Sequence, residues 1–428
     1  MTKVPGSVGL PILGDKSIDF YRDPIRFTLK HIENTNSRVF CARFLNTPTV
    51  FVGCNSTLKE LLTDGVRHTD MGYKAFMEHI FGQNILFTDG DMAAGLRQSL
   101  SQLFTPETVK TYQQRVERIV NECLHEVESS EYICLYTFMK RICTQICLSL
   151  FLDLDFHQAS DTANSIVALT TTHWHGIISV PLSIKLPGSG GSTYRKALDA
   201  KEELLKIIIH KKEQNDSAGS FSHKVQQCPH GNEDIFVNNH LLLFTSALVP
   251  KALSSILTSF FIEISGDHRD LQSSVLEDSI LMESLLLEAQ RMYPPFLGGR
   301  RLATEDFNLN GYKVHKGHAL VYLTYAAHRD PAVFDNPEQF DPHRWTGRNS
   351  QDKDKIHCFG GGPRGCIGQN LVWQIIQTVI VGLLTKYSVT LKEGQDLTHK
   401  WLPVSRPKNE ILVKFVRKTE QQIDTDGS

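Results

Sequence analysis

The 428-residue sequence predicts a mainly α-helical protein with a smaller strand-rich lobe, folded as a single domain over residues 1–428. Three observations predict it. Apolar residues recur mostly at helical spacing between Pro106 and Ala200. Two zones rich in Val, Phe and Thr, Val39–Val52 and Phe307–Tyr325, read as strands. The one long polar stretch, Glu213–Glu233, resumes a helical pattern on both sides and so reads as a mobile surface connection within a domain.

In chain order, Pro24–Asn34 has a helical pattern, and Val39–Val52 forms paired strands around a turn at Leu45-Asn46-Thr47-Pro48. Val109–Val127 carries a helical stripe of Val116, Ile119, Val120, Cys123 and Leu124, and Leu135–Leu152 is a second long apolar helix. The Pro- and Gly-rich run from Pro181 to Ser192 breaks the pattern, and Tyr194–Lys212 restores it with a charged outer face. Ile235–Ile264 is apolar nearly all round, which marks a buried central helix, and Pro250 should kink it. A helix at Gln369–Lys386 and strands near Val389 and at Ile411–Val416 close the chain. The ends, about 1–4 and 418–428, are expected to be disordered.

With 41% hydrophobic and 21% charged residues the chain has ample material for a core, and its net charge of -2 favours neither nucleic acid nor anionic lipid as partner. The nine cysteines (Cys41, Cys54, Cys123, Cys134, Cys143, Cys147, Cys228, Cys358 and Cys366) lack the spacing of a disulfide-built fold. No apolar run near the N-terminus is long enough for a signal peptide or a membrane span. The chain is expected to be soluble, cytoplasmic and monomeric, and a native anchor ahead of it stays open.

The sharpest chemical signal is Phe359-Gly360-Gly361-Gly362-Pro363-Arg364-Gly365-Cys366-Ile367-Gly368. A glycine-rich bend before a cysteine, with Gly and a helix after it, lets backbone N–H groups point at the sulfur and hold a thiolate on iron. Arg364 could pair with an acidic cofactor edge; alone, the motif could equally be a buried free thiol. These residues resemble the heme-binding signature of the cytochrome P-450 family, F-x-x-G-x-R-x-C-x-G, at every fixed position.

The resemblance implies the cytochrome P-450 fold and a heme b (iron protoporphyrin IX) with Cys366 as metal ligand. Phe359, Gly360, Arg364, Ile367 and Gly368 would lie around the cofactor, and Arg97, Arg301 and Arg364 would anchor its propionates. Glu288, three residues before Arg291, and Arg344 in Phe340-Asp341-Pro342-His343-Arg344-Trp345 match the family's buried Glu-Arg-Arg cluster, with Trp345 where the family usually has Phe. As a lone pair, Glu288 and Arg291 would most often be a modest surface ion pair. The similarity spans nearly the whole chain and looks closest to the retinoic-acid hydroxylase branch and its cyanobacterial relatives.

The sequence departs from the family at the central helix. Oxygen-activating members carry a small-residue groove, an acid and a Thr there, which relay protons for dioxygen activation. The matching run is Thr245, Ser246, Ala247, Leu248, Val249, with Leu248 at the acid position and Val249 at the alcohol position. Neither side chain can donate or accept a proton. Ala93 also replaces the usual His four residues before Arg97.

Members that rearrange lipid peroxides, such as prostacyclin synthase and allene oxide synthase, lack the acid-alcohol pair as well, because a peroxide needs neither electrons nor protons from outside. One expectation is therefore a peroxide isomerase or lyase acting on an oxidised fatty acid. The other is a monooxygenase that hydroxylates a lipophilic molecule such as a fatty acid, retinoid or sterol, with electrons from a reductase or ferredoxin and protons relayed by Thr245, Ser246 or water. Phe76, Phe81, Phe296 and Leu297 are candidate substrate contacts, and Phe76, Phe81 and Phe296 could equally be core. Lys353, Lys355 and Arg364 offer a modest basic patch for a redox partner. His173-Trp174-His175 reads as a pocket wall or solvated face, since alternate residues of a helix point apart.

Overall fold

The computed structural model describes residues 2–418 except 125–126, 128–130, 157–159, 180–182, 184–190, 215–219 and 229–232. Most of the expected break from Pro181 to Ser192 and nearly all of the expected disordered C-terminus therefore lie outside the described residues. The chain is mostly helical with small sheets, and by its internal contacts it divides into two compact units. The first comprises Met1–Gly72, Thr258–Cys366 and Gly394–Asn409; the second comprises Tyr73–Leu257, Ile367–Glu393 and Glu410–Ser428.

In the first unit a five-stranded sheet runs in the order Val39–Phe44, Thr47–Val52, Ala319–Leu323, Gly298–Ala303, Thr69–Met71. The hairpin turns at Leu45 and Asn46, both at positive φ (51° and 53°), as the right-handed twist of a two-residue turn requires. Alternate side chains bury on opposite faces. Val39, Cys41, Val50, Val52 and Leu320 pack on Leu58, Leu61 and Leu62 of the helix Asn55–Thr63. Phe40, Ala42, Phe44, Phe51 and Val321 pack on Phe20 and Phe27 from the two preceding helices. A sheet covered on both faces explains the near-continuous apolar strands. Thr2–Lys3 is not a frayed end: it pairs in parallel with Tyr312–Val314, and Val4 is buried behind it.

The second unit is built on Leu135–Leu152, which lies as expected and buries twelve side chains, and on Gln369–Lys386, also as expected. The stripe at 109–127 is split into Pro106–Lys110 and Gln113–Leu124. The polar stretch expected to be a mobile connection contains a helix, Phe221–Gln226. Phe221 lies within 4.8 to 6.3 Å of the rings of Phe151, Phe244, Phe104 and Tyr112. One aromatic residue is enough to dock a polar segment when a slot of rings receives it.

The central helix is broken rather than kinked. It runs as Asp234–Thr245 and Leu248–Ser265, with Ser246 extended (ψ 155°). Pro250 causes the break four residues upstream. Its ring would clash with the carbonyl of Ser246 in a continuous helix, so Ser246 leaves the helical region and Pro250 sits in the first turn of the second helix, where it is tolerated.

The second helix ends in the first unit with a buried acid. Tyr293 donates to Glu263 at 2.8 Å, His399 stacks on Tyr293 at 4.5 Å, and burial pushes the Glu263 carboxyl up to about 7. A carboxyl whose folded value is raised contributes its stability at low pH and loses it as pH rises through that value. Denaturant unfolding should therefore show stability falling between pH 5 and pH 8 by up to about 3 kcal/mol, and Glu263→Gln should abolish this fall while keeping the Tyr293 bond.

Candidate functional site

The glycine-rich segment of the first unit folds into a closed loop. The Cys366 N–H donates to the Phe359 carbonyl at 2.8 Å, and the Gly365 N–H donates to the Gly362 carbonyl at 3.0 Å across the turn Gly362–Arg364. Gly362 has φ +57°, and a Cβ there would lie 2.2 Å from the Leu62 carbonyl oxygen, so only glycine lets the loop press onto the end of the helix Asn55–Thr63. Cys366 is the one exposed thiol of the nine. Burial pushes Cys123 up to about 11 and Cys143 up to about 12, and it raises Cys147 and Cys358 as well. Those thiols are protonated and inert at neutral pH.

Arg301 lies in the strand Gly298–Ala303, 4% exposed, with its Nη1 at 2.8 Å from Met71 Sδ; Arg364 closes the turn before Cys366. An exposed thiol with guanidinium groups in the same unit is a donor set that suits an iron porphyrin carrying carboxylates. Among the described residues no group of three or more His, Cys, Asp or Glu side chains could hold a metal ion by itself.

The Glu-Arg-Arg cluster assembles in full within this unit, and it is not a surface pair. Glu288 and Arg291 are both 0% exposed. Arg291 grips the carboxylate through Nε at 2.9 Å and Nη2 at 2.8 Å, and Arg344 Nε reaches it at 3.0 Å. The Asp341 N–H and Trp345 Nε1–H complete it at 2.9 and 3.1 Å. The remaining Arg291 donors reach the carbonyls of His328, Pro337 and Gln339. The Trp345 bond explains what this chain gains from Trp where the family usually has Phe.

In the second unit Arg97 sits half-buried on the helix Gly90–Ser101. The loop before that helix is pinned by two polar residues of the central helix: His240 accepts the Ile85 N–H at 3.0 Å, and Asn239 donates to the Gln83 carbonyl at 3.0 Å. Sequence reasoning passed over both. Their signal was polarity in a helix otherwise apolar all round. Burial lowers His240 to about 4, so it stays the neutral acceptor this bond needs.

The two hydroxyls beside the break in the central helix both meet backbone, one as donor and one as acceptor. Thr245, 1% exposed, donates to the Leu241 carbonyl at 2.8 Å, and Ser246 accepts the Leu248 N–H at 3.3 Å. Ala247 is buried, and Leu248 and Val249 are half-buried.

Of the candidate substrate contacts, Phe81 is core: it is 1% exposed and edge-on to His173 at 5.0 Å. Leu297 is core too, packed with Phe20 and Phe27. Both were apolar enough for either role, and packing neighbours rather than sequence decide between them. Phe76 is 38% exposed and Phe296 half-buried. His173 is buried against the Ile80 carbonyl while His175 is exposed, so the two do point apart. The basic patch is largely neutralised, since Lys353 pairs with Glu283 at 2.6 Å and Lys355 with Asp352 at 2.9 Å.

The cytochrome P450 family model matches residues 5–240 and 262–415. The chain belongs to the cytochrome P450 family. It is a heme-thiolate oxidoreductase that binds heme b. The unmatched stretch 241–261 holds Thr245 to Val249, where the sequence departs from the family.

Among curated relatives, putative cytochrome P450 120 of Synechocystis sp. is 25% identical, with 96% of each chain covered. Abscisic acid 8'-hydroxylase 1 of Oryza sativa subsp. japonica is 24% identical over 98% of this chain and 91% of its own. The solved structure of a retinoic acid bound cyanobacterial P450, CYP120A1, superposes with a TM-score of 0.85 at 24% identity, covering 97% of this chain and 99% of that one. The cyanobacterial similarity agrees with the branch the sequence resembles.

Trp345→Phe should cost about 2 kcal/mol in denaturant unfolding, one hydrogen bond to a buried charge. Glu288→Gln should cost at least about 3 kcal/mol, because it leaves two guanidinium groups without their anion.

Proposed function

We propose that this P450 is a reductase-dependent monooxygenase that hydroxylates a lipophilic small molecule, with an acidic isoprenoid or a fatty acid as the leading class. The observation that carries this reading is similarity along 98% of the chain to a relative named as a hydroxylase of abscisic acid. The retinoic acid in a solved structure of the same fold supports the substrate class.

In this reading Cys366 would hold the iron through its thiolate, and the iron would supply the oxidising chemistry when heme is bound. Phe359, Gly360, Ile367 and Gly368 would hold the cofactor, and Arg97, Arg301 and Arg364 would neutralise its carboxylates. Glu288, Arg291 and Arg344 hold the surrounding backbone. Thr245 to Val249, Phe76 and Phe296 would be the candidate substrate contacts. Because Leu248 and Val249 carry no proton and Thr245 donates to its own helix, the proton carrier in this reading is water or the Ser246 hydroxyl, whose oxygen accepts a backbone N–H and keeps its hydrogen to give. An electron donor, reductase or ferredoxin, would find few uncompensated lysines beside the Cys366 loop, which predicts a weak dependence of its docking on salt.

A second reading, a peroxide isomerase or lyase, is favoured by the same observation at Leu248 and Val249, since cleaving a peroxide needs no external protons or electrons.

Cys366→Ala should abolish the reduced carbon monoxide band at about 450 nm that thiolate ligation produces; a variant that keeps the band sinks the ligand assignment. The two reactions separate in one experiment. Purified protein is given retinoic acid or a polyunsaturated fatty acid with a reductase system, and in parallel a fatty-acid hydroperoxide with no electron source. Hydroxylated product that depends on electrons, with the hydroperoxide left intact, is the expected result. Rapid loss of the hydroperoxide's conjugated diene to aldehydes, allene oxide or epoxyalcohols, with no hydroxylation, would replace the monooxygenase reading by the peroxide one.

A further inference from the structure

The chain entering the Cys366 loop is extended at Ile356 (φ -92°, ψ 121°), so the carbonyl of Lys355 and the N–H of His357 point to the same edge. In a sheet, a neighbouring strand would meet both. Here two side chains do so. Asn55 Nδ2 donates to the Lys355 carbonyl at 2.9 Å, and the His357 N–H donates to His328 Nε2 at 2.8 Å. We infer that Asn55 and His328 are positioning residues for the thiolate: they stand in for a missing strand and hold the root of the loop that presents Cys366. The inference rests on Cys366 as the iron ligand.

Both side chains are themselves fixed. Asn55 opens the helix on which Gly362 rests, donates a second bond to the Ala327 carbonyl at 3.2 Å, and gives its own N–H to the buried Asp330 at 3.0 Å. The His328 ring is 0% exposed and stacks on His357, and its carbonyl accepts Arg291 Nη1 at 3.0 Å. Burial and the nearby His357, Arg291 and Arg329 hold His328 neutral, as an acceptor nitrogen must be. Beyond the clamp, the Cys358 thiol donates to the Gln290 carbonyl at 3.0 Å, the Gly360 N–H donates to the His357 carbonyl at 3.0 Å, and the Cys366 N–H closes on Phe359.

A continuous path of hydrogen bonds thus runs from the Glu288 carboxylate through Arg291, His328 and His357 to the loop. The Glu-Arg-Arg cluster then has a mechanical output. It sets where His328 stands, and His328 sets where the loop begins. Gln at position 328 could still accept through its amide oxygen, whereas Leu could not. A purely space-filling role would rank the two the other way.

The test uses the heme-loaded protein with His328→Leu, His328→Gln and Asn55→Ala. Amide hydrogen exchange over residues 355–360 is compared with exchange in the second unit's strand Tyr387–Leu391, and the reduced carbon monoxide band at about 450 nm is measured per heme. His328→Leu is expected to speed exchange at 355–360 by about tenfold with the strand Tyr387–Leu391 unchanged, and to lose part of the band to shorter wavelength. His328→Gln should bring both back to within about twofold of the parent protein. Should His328→Leu fail to fold, Asn55→Ala carries the same comparison. The inference is overturned if His328→Leu matches the parent protein in both readouts, if exchange rises equally in both segments, or if the Gln variant is as impaired as the Leu one. A parent protein without the band would instead overturn the ligand assignment, and the exchange comparison would still decide the clamp.

Discussion

One buried carboxylate organises the chemistry-bearing half of this protein. Glu288 has no access to water, and taking a charge out of water costs several kcal/mol unless hydrogen bonds replace the lost hydration. Five donors on Arg291, Asp341, Arg344 and Trp345 replace it. Each donor belongs to a different stretch of backbone or turns its other hydrogens to one. Arg291 alone ties the carbonyls of His328, Pro337 and Gln339, and Arg344 ties Asp335. An irregular segment with little secondary structure of its own is thereby given a definite shape. The shape is passed on through His328 to the loop that carries Cys366.

The strand-rich part supplies the rigid floor for that loop. Its sheet buries two separate apolar faces, one under Leu58, Leu61 and Leu62 and one under Phe20 and Phe27. The helix Asn55–Thr63 serves the sheet with its apolar side while its two ends serve the loop, Asn55 at one and Leu62 at the other. Core packing and site geometry are thus the same helix seen from two sides. Close packing transmits displacements, so a change in the sheet would be felt at the thiol.

The central helix shows the opposite economy. Pro250 breaks it at Ser246 and frees backbone groups that a regular helix would have used, yet the hydroxyls beside the break turn to backbone rather than outward. Where the family resemblance leads one to expect an acid and an alcohol, this chain has Leu248 and Val249. Neither side chain can supply a proton.

Much of this was legible without coordinates. The regular helices Leu135–Leu152 and Gln369–Lys386 and the first hairpin follow from hydrophobic period and turn chemistry, which act over a few residues. The family, the cofactor and the candidate Cys366 loop follow from a motif ten residues long. What the sequence could not determine are pairings between residues far apart in the chain. Phe221 reads as loop until four rings surround it, Phe81 and Leu297 are apolar enough for pocket or core until packing neighbours are seen, and the Ser246 break appears where a Pro side chain meets a carbonyl four residues back. Asn55, His328 and Trp345 gain their roles from partners 29 to 300 residues away along the chain. Local sequence determined which segments are helix, strand and metal-binding loop, because periodicity and steric preference are short-range. Tertiary structure alone decided which polar atoms meet, because a hydrogen bond is specified by position in space.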